Sequence, residues 1–248
     1  MNLKQIAIYT VGRSPALTHA RKALGAYTTE DPANATHLLL PVPSFEPDGT
    51  LKGGFSPEEI LESLPPDITI IGGNLRHPFP GAYKTVDLLK DPFYTAQNAA
   101  LTAHCALGLI LTALPAALPG QQAMVIGYGR IGKCLSRLLQ NLGADVTVAA
   151  RKVEDRALAE ALGFGSTIPG AWDPGKYRLI VNTVPAPVLD EQECRVDAFL
   201  LDLASVRGIS GNRVHWARGL PGICVPETSG QLIACRALEL IFEKEASQ

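Results

Sequence analysis

The sequence predicts an α/β protein with two domains, a small N-terminal α/β domain and a C-terminal domain built on a doubly wound parallel sheet. The first observation is that short apolar runs alternate with stretches of helical periodicity along the 248 residues, which is typical of βαβ units. The second is a glycine-rich turn at residues 127–132, preceded by an apolar run at 123–126 and followed by a stretch with one apolar helical face. Strand, turn and helix in this order indicate the first βα unit of the larger domain.

Residues 1–90 are expected to form the N-terminal domain, which is Rossmann-like because strands and helices alternate in it. The pattern predicts strands at 6–9, 38–40 and 68–71. Ser14 and Pro15 are typical of an N-cap and a first helical residue, and residues 56–59 (Ser-Pro-Glu-Glu) predict a second helix start.

The rest of the chain is divided by its helical segments. Residues 91–118 are expected to hold an interdomain helix that Asp91 and Pro92 open, and 119–226 the C-terminal sheet domain. Within that domain we predict further strands at 145–150, 179–181, 199–201 and 223–225, with a helix at 154–162. Residues 227–248 are expected to form a C-terminal helix, regular from about residue 230, that packs its apolar face at the interdomain seam.

The glycine turn predicts a dinucleotide-binding loop. Gly127 allows the tight turn, Gly129 allows a diphosphate to approach the backbone, and Gly132 allows close packing of helix on strand. Arg130 and Ile131 stand in the first helical turn, whose free amides favour an anion. A glycine turn that serves packing alone is the alternative. The C-terminal domain is thus predicted to be an NAD(P)-binding Rossmann domain.

The residues after the second strand of this domain favour NADP. A site specific for NAD places a carboxylate about 20 residues beyond the glycines, against the ribose 2′-hydroxyl. The sequence has Arg151 and Lys152 there, and two cations attract a 2′-phosphate. NAD is the alternative cofactor, if Glu154 or Asp155 turns toward the ribose.

Polar and turn-forming residues follow the next two strands. They are expected at the edge where ligands of parallel sheets bind, with Asn182, Thr183, Val184 and Pro185 contacting the cofactor and Ser205 close to the substrate. Ordinary turns and helix caps would explain such residues equally well one at a time.

Composition excludes several classes of function. A net charge of -2 with a pI near 6.2 gives no basic field for nucleic acid. Five cysteines without CxxC spacing favour neither a disulfide framework nor a zinc site, and we expect no metal. No apolar stretch has the length of a membrane span and the N-terminus lacks a signal-peptide pattern, so a cytoplasmic protein is expected.

Several of these motifs together resemble the A subunit of dipicolinate synthase. The similarity covers about residues 87–241 well and the N-terminal part loosely. It is carried by residues 127–132, Ala150-Arg151, 182–185, 202–205, the Gly-Leu-Pro-Gly-Ile segment at 219–223, Pro226, Thr228, Gly230-Gln231 and Ile233-Ala234.

The resemblance implies an activity and partners. It implies an NAD(P)-dependent oxidoreductase that converts a dihydrodipicolinate-type ring to dipicolinate (pyridine-2,6-dicarboxylate). A flavoprotein-like B subunit would be its partner, in the mother cell of a sporulating bacterium. The chain departs from the family at His104, where members carry Glu, and at Glu227, where they carry Lys. His104 is our candidate base, and Asn98 and Ser205 are candidate catalytic residues that hold the substrate's carboxylates.

Two other functions stay open on the sequence. A 2-hydroxyacid dehydrogenase has a similar two-domain plan, but it needs a late His before the last helix, where this chain has Pro226-Glu227-Thr228. A non-catalytic subunit that binds NADP(H) for regulation or as a scaffold would keep the loop without the chemistry. Apolar helix faces also leave a homo-oligomer open.

Overall fold

The computed structural model describes residues 6–46, 48–75 and 83–246, with the side chain of Glu245 excepted. The chain divides into two compact units. Unit 1 comprises Met1–Asn98 and Pro221–Gln248, and unit 2 comprises Ala99–Leu220. The C-terminal residues therefore belong to the same unit as the N-terminal ones.

Unit 1 begins with a parallel four-stranded sheet in the order β1-β2-β3-β4. Its elements are β1 (Ile8–Thr10), α1 (Pro15–Leu24), β2 (His37–Leu39), α2 (Pro57–Leu61), β3 (Thr69–Gly72) and β4 (Lys84–Asp87). The helix starts follow the sequence, since Ser14 caps α1 and a capping box of Ser56 and Glu59 opens α2. Thr28 forms a parallel bridge to Ile8 on the edge of β1 that faces away from β2. If this bridge is counted as a short strand, the order of the sheet along the chain is 2-1-3-4-5, as in flavodoxin-like folds.

The long helix α3 (Pro92–Ala113) follows, and the division between the units falls inside it. Unit 2 then contains β5 (Gln122–Ile126), α4 (Arg130–Asn141), β6 (Asp145–Ala149), α5 (Val153–Ala161), β7 (Gly165–Thr167), β8 (Leu179–Asn182), β9 (Leu189–Asp190), β10 (Phe199–Asp202), β11 (Ile209–Ser210) and β12 (His215–Trp216). Six of these strands form a parallel sheet in the order β7-β6-β5-β8-β10-β12. Counted within the sheet this order is 3-2-1-4-5-6, the order of a doubly wound Rossmann fold.

The prediction of a strand at residues 223–225 is wrong. Helix α6 (Leu220–Cys224) occupies this segment, and α7 (Pro226–Ala246) begins about one turn earlier than the apolar pattern indicated. A short apolar run does not distinguish a strand from a helix. Both prolines of the segment lie in first helical turns, where the missing amide leaves no intrahelical bond unmade.

Helices α1 and α7 pack with their backbones close together in unit 1. Gly230 lies on α7 where a β-carbon would stand 2.5 Å from the carbonyl oxygen of Ala16 and 2.6 Å from the amide nitrogen of Ala20. Ala20 is fully buried, and Ala234 is 1% exposed one turn after Gly230. Small residues thus set the distance between the two helices, because larger ones would separate the backbones.

An ion pair joins α7 to the start of α3 within unit 1. The Arg236 guanidinium donates from Nε and Nη2 to the two carboxylate oxygens of Asp91, at 3.0 and 2.9 Å. Asp91 also caps α3, because its Oδ1 accepts from the amide of Tyr94 at 2.7 Å. The hydrogen bonds from Arg236 hold the pKa of Asp91 below its usual value, and those carboxylate contacts raise the pKa of Arg236. Only 13% of the Arg236 side chain and 10% of the Asp91 side chain are exposed, so solvent screens the pair weakly.

Replacing Gly230 with alanine is expected to destabilise the protein by about 1–3 kcal/mol, because the added methyl overlaps the backbone of α1. Gly108 provides the matched control, since it lies in α3 with no atom within 4 Å of the point where a β-carbon would stand. Gly108→Ala should stabilise by about 0.5–1 kcal/mol through helix propensity. Urea unfolding of both variants measures the difference. Equal stability of the two variants would contradict the close packing of α1 on α7.

Asp91 and Arg236 should be coupled energetically by about 1.5–3 kcal/mol at pH 7. We expect this from a double-mutant cycle of Asp91→Asn, which keeps the cap, and Arg236→Gln. The folded-state pKa of Asp91 is depressed, so its contribution is full above the unfolded pKa and is lost as the pH falls through the folded one. The coupling energy from urea unfolding should therefore be constant down to about pH 5 and decline below about pH 4. A coupling unchanged at pH 2 would show that the pair does not act through charge.

Candidate functional site

The last residues of five strands of unit 2 form a continuous row along one edge of the sheet. Ala149 pairs with Ile126, Ile126 with Asn182, Asn182 with Asp202, and Asp202 with Trp216. The order of strands reverses between β5 and β8, so the connections that follow Ile126 and Asn182 diverge. In open α/β sheets the crevice at such a reversal is where ligands bind.

The turn after Ile126 is closed by two glycines. Gly127 has φ of 95°, and a β-carbon on it would stand 2.5 Å from Oγ1 of Thr183 and 2.7 Å from Cγ2 of Val184. A β-carbon on Gly132 would overlap the carbonyl oxygen of Gly127. These contacts explain why both positions require glycine and why α4 starts directly against the end of β5.

Gly129 differs from Gly127 and Gly132, the other two glycines of the motif. It has no atom within 4 Å of the place of a β-carbon, and its backbone is extended, with φ of -77° and ψ of -166°. It is the N-cap of α4, and no side chain caps the helix there. Free space beside the backbone and uncapped amides at Arg130 and Ile131 suit a diphosphate, with the helix dipole as additional attraction. The exposed Arg130 adds a positive charge at this point.

The connection after β8 is attached to the glycine turn. Thr183 donates from Oγ1 to the carbonyl oxygen of Ile126 at 2.9 Å, which joins the ends of β5 and β8. Asn182 is fully buried; its amide donates to the carbonyl of Val184 and its Oδ1 accepts from the amide of Val184, both at 2.9 Å. Pro185 follows on the surface. The structure thus brings Thr183 and Val184 against the glycine turn, and their contact with a cofactor stays a prediction.

Asp202 organises the connection after β10. Its carboxylate is fully buried and accepts from the side-chain amide of Asn182 at 3.1 Å and from three backbone amides, those of Ala204, Gly208 and Ile209, at 2.7–3.0 Å. Four donors satisfy a buried carboxylate, which stabilises the charge where water is excluded. The buried Asp202 therefore fixes the loop that carries Ser205, and Ser205 itself is exposed.

Three cationic residues lie at the end of β6. Arg151 and Lys152 are exposed, and neither forms a salt bridge with another described residue. Sequence reasoning missed Arg156, whose Nη1 donates to the carbonyls of Ala150 and Arg151, both at 2.8 Å. Its position one helical turn after Lys152 was the available signal. The three side chains give this end of the sheet edge a positive charge suited to a phosphate.

Glu154 and Asp155, the acidic residues considered as ligands for the ribose of NAD, have different surroundings. Glu154 is exposed, and Oδ1 of Asp155 lies 3.8 Å from the ammonium group of Lys133. Lys133 in turn lies 5.3 Å from the ring centroid of Tyr128, which is buried against Phe164. Burial, and secondarily the charge of Asp155, raises the pKa of Tyr128. Asp155 thus has a cationic neighbour near the glycine turn.

The two candidate catalytic residues on α3, Asn98 and His104, lie on different sides of the helix, and the buried Thr102 marks its inner side. Thr102 is 9% exposed and His104 is exposed, as two residues about 200° apart on a helix would be. Asn98 is half-buried one turn before Thr102, on the same side of the helix as Thr102. Glu227 lies in the first turn of α7. The roles of His104, Asn98 and Ser205 stay predictions.

Neither a metal-binding cluster nor a membrane-spanning helix occurs in the described ranges. Within residues 6–46, 48–75 and 83–246, no three His, Cys, Asp or Glu side chains are grouped so as to hold a metal ion. In the same part of the chain, no helix has both the length and the apolar character needed to cross a membrane.

Comparison with known proteins finds a curated relative and solved structures that are A subunits of dipicolinate synthase. The chain is 27% identical to the A subunit of dipicolinate synthase from Bacillus subtilis (strain 168), in an alignment that covers 85% of this chain and 79% of the relative. It is similar to the crystal structure of the dipicolinate synthase A chain from Bacillus subtilis, with a TM-score of 0.83, 20% identity and 98% of each chain covered. The A subunit from Bacillus halodurans gives a TM-score of 0.82 at 21% identity, with 94% of this chain and 97% of that one covered.

No family model matches the chain. The likeness to the solved structures confirms the predicted α/β fold with its parallel sheets. Together with the curated relative, it confirms the resemblance to the dipicolinate synthase A subunit that the sequence motifs indicated.

Proposed function

We propose that the chain is an NADP-dependent oxidoreductase of the dipicolinate synthase type, which oxidises a dihydrodipicolinate-type ring to dipicolinate. The observation that carries the proposal is the glycine turn at the strand reversal of unit 2, where Gly129 leaves space beside uncapped helix amides. The similarity to the A subunit of dipicolinate synthase supports the choice of substrate class.

The residues present fit a dinucleotide. Gly129 and the first turn of α4 would hold the diphosphate, and Thr183 and Val184 would line the side toward β8. Arg151, Lys152 and Arg156 would surround the adenosine end, where a 2′-phosphate brings extra negative charge. NADP is therefore favoured over NAD, because Asp155 already has Lys133 beside it.

The reaction takes two electrons and two hydrogens from the ring, one hydrogen as a hydride and the other as a proton. NADP bound in this site supplies the acceptor for the hydride. The protein's tasks are then to orient the ring, to bind its carboxylates and to let the proton leave. Ser205, on the loop that Asp202 fixes, would face the substrate, with Asn98 as a further carboxylate-binding group. His104 is the proposed proton acceptor, because an imidazole nitrogen can take up a proton.

Partners and cellular setting follow from the same resemblance. We infer a B subunit of flavoprotein type as the partner, as the word subunit in the relative's name suggests, and the cytoplasm of the mother cell in a sporulating bacterium as the place of action. The 2-hydroxyacid dehydrogenase alternative is disfavoured by α7, whose first turn begins Pro226-Glu227-Thr228 where such enzymes place a histidine.

The purified chain, with its flavoprotein-like partner, should form NADPH and dipicolinate in equal amounts from condensed hydroxytetrahydrodipicolinate. NADPH absorbance and chromatography of the product measure the two. Omission of the partner tests whether it is needed for turnover. Cofactor binding without any dipicolinate would contradict the enzymatic proposal and favour a regulatory or scaffold protein, whereas turnover of 2-hydroxy acids would favour the dehydrogenase alternative.

Arg151→Glu should weaken NADP binding by about 1–3 kcal/mol and leave NAD binding unchanged or improved, because a charge-assisted contact with the 2′-phosphate is lost. Arg137→Glu is the matched control, since it makes the same change of charge on α4, where Arg137 contacts Gln140. Isothermal titration of both cofactors measures the effect. If the two variants lose NADP affinity equally, the effect is one of net charge. If Asp155→Asn abolishes NAD binding while Arg151→Glu has no effect on NADP, the site is one for NAD.

A further inference from the structure

Trp216 presents an indole ring at the carboxyl edge of the sheet in unit 2. The side chain is 43% exposed, although burying a tryptophan in a core would remove a large apolar area from water. Its Nε1 donates to the carbonyl oxygen of Ala204 at 3.0 Å, which holds the ring beside the loop of Ser205. Val206, in the same loop, is 58% exposed. An aromatic plane is thus fixed in position while one surface remains accessible.

Arg218 lies over this ring. Its guanidinium carbon is 5.4 Å from the ring centroid, within the range of a cation–π contact. Arg218 is exposed, and no described residue forms a salt bridge with it. A planar guanidinium held against an indole keeps its N–H groups directed to its own edge, where they can bind a carboxylate with two hydrogen bonds.

The location matches the reacting end of a dinucleotide. Trp216 pairs with Asp202 in the row of strand ends, three strands from Ile126, which is about 14 Å at ordinary strand spacing. The diphosphate is assigned to the turn after Ile126 and the adenosine phosphate to the end of β6, on the opposite side of β5. The other half of the dinucleotide must then extend over β8 and β10, toward Trp216.

We propose that Trp216 and Arg218 bind the planar ring dicarboxylate, with the indole stacked on the ring and the guanidinium paired with one carboxylate. This inference rests on the proposed function, because that function supplies a flat, doubly charged substrate. The pair of residues matches both properties, since an aromatic face binds a conjugated ring and a cation binds its carboxylate. Trp216 and Arg218 are thereby specificity-determining residues of unit 2.

The fluorescence of Trp216 provides a direct test of binding without turnover. The chain has two tryptophans, and Trp172 packs edge-on against Tyr177, so Trp172→Phe leaves Trp216 as the sole reporter. Dipicolinate titrated into this variant, with saturating NADP present, should quench or shift the emission in a saturable manner. Pyridine-2-carboxylate, which has one carboxylate fewer, should bind more weakly.

Substitutions then separate the two contributions. Arg218→Gln should weaken dipicolinate binding by about 10–100-fold and reduce the preference for it over pyridine-2-carboxylate, because the second carboxylate loses its partner. Trp216→Leu, in which isothermal titration replaces the lost emission as the measure of binding, should weaken both ligands alike. Arg195→Gln is the control, since it removes an exposed arginine that pairs with Asp197 before β10. Affinity for NADP should be the same in all three variants.

The outcomes distinguish this inference from the proposed function. Unchanged dipicolinate affinity in both Arg218→Gln and Trp216→Leu, with turnover intact, overturns the inference and leaves the enzyme assignment in place. Binding of dipicolinate that depends on Arg218, without turnover of any dihydropyridine, supports the inference while the enzyme assignment fails. Emission that responds to the flavoprotein-like partner and not to dipicolinate overturns it, because the pair would then be a protein contact.

Discussion

The close approach of Gly132 to the carbonyl of Gly127 is the constraint on which the candidate site depends. It lets α4 begin directly at the end of β5, and so directs the helix amides to the carboxyl edge of the sheet. Thr183 adds to this contact, since its hydroxyl bonds Ile126 and its side chain occupies the space that a β-carbon on Gly127 would need. The space beside Gly129 is open, whereas Gly127 and Gly132, the other two glycines of the motif, are packed against protein. A side chain on Gly127 or Gly132 would push α4 away from the end of β5. The amides of the first turn of α4 would then no longer point together to the edge of the sheet.

The charges around this turn are arranged along the edge and are not gathered into one patch. Cations at Arg151, Lys152 and Arg156 stand at the β6 end, while Arg218 stands at the β12 end. Between them lie the neutral amides of α4 and the buried network of Asn182 and Asp202. A dinucleotide with its adenosine phosphate near β6 and a separate dicarboxylate near β12 would each meet a cation in this arrangement. The same arrangement is compatible with a net charge of -2, because local fields in a crevice do not require a basic protein.

The parts that sequence reasoning predicted are those in which neighbours along the chain determine the structure. The capping residues Ser14, Ser56 and Asp91 and the glycine turn act within a few residues of themselves, so their patterns identified α1, α2, α3 and α4. The segment 223–225 was assigned wrongly because its apolar run is too short to show a period. Arg156 had a local signal, its position one helical turn after Lys152, whereas the position of Trp216 beside Ala204 depends on strand register, which no local pattern encodes. The parallel pairing of β10 with β12 alone brings Trp216 beside Ala204.

Asp202 connects the ends of β8 and β10 to the loop that carries Ser205. Its carboxylate accepts four hydrogen bonds, three of them from backbone amides, so one buried side chain fixes several backbone segments. Loss of these bonds would release the loop of Ser205, so Asp202 supports the candidate site by holding its backbone in place. In the proposed reaction the formation of an aromatic ring would drive the oxidation, and a reaction driven in this way would not depend on a buried catalytic base.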